Sequence, residues 1–138
     1  MREILFRGKA IDNYEWLEGD LLQDGRSFVM IWPQKPVSMS REVDKDTVCQ
    51  YIGLKDSKGA KIFEGDIVLS DDLVYGEGGL FLIQWNEEWH GWDANRLGAK
   101  DDIYTIGELG DMEIVGNCWD TPELLSSETQ AKEGVNGE

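Results

Sequence analysis

The chain has 138 residues, enough for one domain whose core packs without disulfide or metal staples. With 28 acidic against 13 basic residues its formal charge is −15; such a surface repels phosphate backbones and anionic lipid, which disfavours direct nucleic-acid binding and a membrane role. No window approaches the roughly 20 apolar residues of a spanning helix, and 16 glycines point to turns rather than long helices.

The opening MREILFRGKA holds no apolar run of signal-peptide length, so an intracellular, cytoplasmic protein is expected. Short apolar runs broken by Gly, Asp or Asn predict strands at Glu3–Gly8, Tyr14–Leu22 and Ser27–Trp32. IWPQKPVSMSREVDKD contains two of the three prolines and reads as a loop. Thr47–Gly53 and Lys61–Ser70 flank LKDSKGAK, where Asp56 can fold its carboxylate onto nearby backbone N–H groups and Gly59 can take a positive φ. The pair is therefore expected as a hairpin.

Gly79–Asn86 is predicted as a strand buried on both sides, with Phe81, Ile83 and Trp85 on one face and Leu80 and Leu82 on the other. EWHGWDANRLGAKDD reads as irregular, and strands are expected again at Ile103–Ile106 and Met112–Cys118. DTPELLSSE carries a helix start, with Thr121 as N-cap, Pro122 at the first position and Glu123 favouring the dipole. Residues 126–138 are polar and acidic and are expected to form a loose tail behind a single domain, 1–125.

Two stretches share an order. FRGKAIDNYEWLEGDLL and YIGLKDSKGAKIFEGDIV each run aromatic-x-Gly, polar turn, then a Glu-Gly-Asp strand, as if one supersecondary unit were used twice. Glycine within a strand permits a bulge or bend, and the neighbouring aspartate can satisfy backbone N–H groups left unpaired there. The expectation is that both copies curl a strongly bent, antiparallel or mixed sheet into a barrel-like form and perform no chemistry.

MREILFRGKAIDNYEWLEGDLL, DTVCQYIGLKDSKGAKIFEGDIV and EIVGNCWDTPELL together resemble the YopX protein family, small proteins of phages and prophages. The resemblance implies a mainly β, barrel-like fold, a bacterial host cell and self-assembly. It supplies no activity and no catalytic residues. The stretch from Glu87 to Asp102 resembles the family least.

One segment could carry chemistry. In WNEEWHGWDANR, Trp85, Trp89 and Trp92 lie beside Glu87, Glu88 and the single histidine, His90. Rings and paired carboxylates suit a sugar cleft or small hydrolase, but equally a ligand or partner surface. Cys49, Cys118 and His90 have no zinc spacing, the Asp pairs at 71–72 and 101–102 lack EF-hand order, and no Walker loop, nucleophile elbow or dinucleotide fingerprint occurs. No cofactor, metal or catalytic residue is expected. The reading is a non-catalytic assembly or interaction module that forms homo-oligomers and has a host or phage protein as a further partner. The alternatives are a small hydrolase or carbohydrate-binding protein using residues 85–93, and an acidic mimic of DNA that occupies a host DNA-binding protein.

Overall fold

The computed structural model describes residues 2–25, 29–33, 39–71, 78–99 and 101–125. The expected tail, 126–138, lies outside them. The described chain is mainly β, and every strand pair specified below is antiparallel. It divides into two compact units, Met1–Gly53 and Leu54–Glu138.

In the first unit, β1 (Phe6–Lys9), β2 (Trp16–Gln23), β3 (Val29–Pro33), the two-residue β4 (Arg41–Glu42) and β5 (Cys49–Lys55) lie in the order β4-β3-β2-β1-β5. Alternation in β3 puts Val29 and Ile31 inside, where they pack with Val43 and, around them, Phe6, Leu17, Leu21 and Val48. Burying each such aliphatic side chain contributes roughly 1.5–3 kcal/mol. The Ala10–Glu15 connection is closed by a bond from the Ala10 N–H to the Glu15 carbonyl, 2.9 Å, with Tyr14 at φ 59°. Arg7 and Lys9, both buried, are covered by the Trp16 ring, their charged ends 4.5 and 5.2 Å from its centroid.

The first Glu-Gly-Asp lies inside one continuous strand rather than at a corner. Its register runs with β1 from Trp16 to Gly19 and with β3 from Gly19 to Gln23. Gly19 is required there by close approach instead, because a Cβ would fall on the Trp32 carbonyl group, whose carbon lies 2.7 Å from that point.

In the second unit, the end of β5 turns back through Asp56 into β6 (Lys61–Phe63). The expected single strand 61–70 is two strands. Glu64-Gly65 is a tight turn, and β7 (Asp66–Ser70) leaves in a new direction. Gly65 sits at φ +88°, its N–H bonded to the Ile83 carbonyl at 2.8 Å and its carbonyl to the Cys118 N–H at 3.0 Å. Asp66, 1% exposed, accepts the Phe63 N–H at 2.8 Å and so closes the turn. The two copies of one tripeptide thus form a continuous strand in one unit and a corner in the other.

From β7 the chain meanders through β8 (Gly79–Asn86), β9 (Gly91–Arg96) and β10 (Ile103–Thr105), and β11 (Glu113–Asn117) returns to pair with β7, giving the order β10-β9-β8-β7-β11. Neither unit's order returns to its starting strand among the described residues. β9 lies inside the segment expected to be irregular. Polar side chains fall on both of its faces and hide the strand's period. Phe81 and Ile83 are fully buried, whereas Leu80 and Leu82 are half-buried and Trp85 runs out of the core. The short C-terminal helical turn is present at 123–125, but the Thr121 hydroxyl donates back to the Asn117 carbonyl at 2.8 Å rather than capping forward.

Asp56 ties the hairpin to β11. Its carboxylate accepts N–H bonds from Lys58 (3.0 Å), Ala60 (2.8 Å) and Ile114 (3.1 Å). Burial would push its pKa up, but these three donors and the Lys58 charge outweigh it and hold the group below its ordinary 3.8. Asp56→Asn is therefore expected to cost about 2–3 kcal/mol at neutral pH. With the folded-state pKa depressed, the carboxylate's contribution is complete above 3.8 and is lost as pH falls through the lower folded value. Urea unfolding should show the gap between variant and wild type closing in strong acid; a gap indifferent to pH would contradict the assignment.

Candidate functional site

The tryptophan-rich segment forms the tip of the β8–β9 hairpin. Asn86 ends β8, and its side-chain oxygen Oδ1 accepts the N–H groups of Glu88 (2.8 Å) and Trp89 (3.4 Å), folding the turn Glu87–His90 over itself. His90 takes φ +54° just before Gly91 opens β9. The Asn86 amide donates to Asp93 at 2.8 Å, and the Asn95 amide donates to the other Asp93 oxygen at 2.6 Å. Asp93 is 3% exposed, so its carboxylate is a buried clamp that fixes both sides of the hairpin beneath the tip.

The cross-strand ladder arranges the rings. Trp85 faces Trp92, Ile83 faces Ala94 and Phe81 faces Arg96. The middle pair is core, and the outer end carries Trp85 and Trp92 with centroids 5.0 Å apart and planes at 75°, an edge-to-face pair. Trp85 is 39% and Trp89 46% exposed. The Trp89 ring lies against Gly91, where a Cβ would come within 2.5 Å of it. The hairpin tip therefore carries the Trp85–Trp92 pair on one face and the Trp89 ring against Gly91 on the other, with Glu87, Glu88 and His90 exposed on the turn.

The cavity of about 480 Å³ in this unit lies at the other end of β9 and excludes both Glu87 and Glu88. Its apolar wall is Leu82, Leu97, Ile103 and Leu125, with Arg96 and Asp102 paired in it at 2.6 Å. Burial would lower the Arg96 pKa, but hydrogen bonds to Tyr104 and Asp102, with the Asp102 negative charge, raise it. Its guanidinium also sits 4.9 Å from the Phe81 centroid and 5.7 Å from that of Tyr104. Arg96 also donates to the Gly78 carbonyl at 2.9 Å, so the pair is tied into the fold. Among the described residues no three His, Cys, Asp or Glu side chains gather as a metal site, and no helix is long and apolar enough to cross a membrane.

Sequence reasoning found the tip residues but missed the clamp. The two asparagines at 86 and 95 were the available signal, because each can donate an amide to a buried carboxylate. The comparisons with known proteins agree with the fold. The family model described as YopX protein matches residues 5–126. The chain is similar to the crystal structure of protein EF1440 from Enterococcus faecalis, with a TM-score of 0.56 and 20% identity over 91% of this chain and 99% of that one. At that identity the likeness concerns the fold alone. No curated protein matches the chain.

Proposed function

The chain belongs to the YopX protein family, and from that premise we propose that it is a non-catalytic interaction module, working as a homo-oligomer and presenting its tryptophan hairpin to a partner. A phage or prophage origin and a bacterial cytoplasm belong to the same reading. The observation that carries it is the exposure of Trp85 and Trp89 on a hairpin clamped from below by Asp93. Large rings held rigid in water contribute contact area to a partner at little entropic cost. Glu87 and Glu88 stand on the outer turn, outside the cavity at the far end of β9, which gives the hydrolase alternative little support.

Self-assembly is supported by the ends of the β10-β9-β8-β7-β11 order. Ile103 on β10 and Val115 on β11 are exposed, at 46% and 39%. Outer strands with exposed apolar side chains favour pairing with another chain, and the barrel-like closure expected from the sequence would be completed by copies of the protein. Light scattering is expected to give a multiple of the 15.7 kDa chain mass, reduced by Ile103→Lys combined with Val115→Lys. A single-chain mass for the wild type at all concentrations would contradict the assembly.

A further inference from the structure

Resting on the interaction reading, we propose that the hairpin tip docks a cationic segment of another protein, one that presents arginine or lysine side chains to the indoles. The chain supplies its own precedent. Trp16 is covered by Arg7 and Lys9, and Phe81 and Tyr104 are covered by Arg96. Between Gln84 and Asn95 the sequence holds no lysine or arginine, and Arg96, at the far end of β9, is taken up there by Asp102, Phe81 and Tyr104. Trp85 and Trp92 pack edge to face on each other, and Trp89 lies on Gly91.

Charge points the same way. Glu87 and Glu88 are exposed beside the rings, and the chain as a whole carries −15. An arginine entering the tip gains a ring face and a carboxylate together. Two tips meeting each other would instead set Glu87 and Glu88 against their own copies, which like-charge repulsion opposes. A cationic partner therefore fits this surface better than a second copy does, and self-assembly is left to the strand edges.

The test is calorimetric titration of the full chain with a short synthetic arginine–serine repeat peptide. Glu87→Gln combined with Glu88→Gln should weaken binding by about five- to tenfold, and Trp89→Ala by about tenfold or more. Glu18→Gln combined with Asp20→Asn removes equal charge from exposed positions on β2 and should weaken it by less than about twofold. Equal weakening by the two charge pairs would mean generic attraction to an acidic protein and would overturn the inference, as would the absence of peptide binding. The light-scattering mass is read independently. Lost peptide binding with an oligomeric mass overturns only the cationic partner; retained binding at single-chain mass overturns only the assembly.

Discussion

Gly65→Ala is expected to lower the free energy of unfolding by about 3 kcal/mol or more. Two effects add at this position. The residue sits at φ +88°, where an alanine costs roughly 1–2 kcal/mol. Its Cβ would also overlap the Trp119 ring and come within 3.4 Å of the Cys118 sulfur. Relaxation is blocked, because the Gly65 N–H and carbonyl are both committed, to Ile83 and to Cys118. Pairing the change with Trp119→Ala should return part of the loss, which a double-mutant cycle by chemical denaturation measures. A loss under about 1 kcal/mol would mean that the corner is not built as described.

Gly19→Ala is expected to cost a comparable amount, about 3 kcal/mol, by a different route. No left-handed conformation is involved. The new methyl group would land on the Trp32 carbonyl, and Pro33, the register partner of Gly19, has no N–H with which to rebuild the pairing. β3 must then move away from β2, and the side chains packed between them, Ile31 and Leu21 among them, loosen together. Denaturation gives the magnitude, and faster amide exchange in β3 than in β1 locates the damage. Uniform exchange across the first unit would argue against a clash confined to the β2–β3 pair.

One tripeptide with two fates explains how much of the fold could be read in advance. β1, β2, β5, β8 and β11 follow from short apolar runs broken by Gly, Asp or Asn, and the Asp56 turn follows from turn chemistry. The corner at Glu64-Gly65 was hidden because the local pattern is that of β2. What separates the copies is distant in sequence: Trp119 and Cys118 on one, Trp32 and Pro33 on the other. The Ile114 bond to Asp56 spans 58 residues and left no local trace. β9 was missed because Asp93 is buried, which a residue-by-residue period cannot anticipate. The site was legible as a cluster of residue types, but not as a surface. Seeing Trp85 opposite Trp92 requires β9, and seeing the tip as rigid requires the clamp beneath it.

Docking of a partner at this hairpin end is read most directly from the indole N–H signals of the isotope-labelled chain as the arginine–serine peptide is added. Trp85, Trp89 and Trp92 are expected to shift while Trp16 and Trp119 stay in place. Movement of Trp16 or Trp119 with the tip signals unchanged would contradict it.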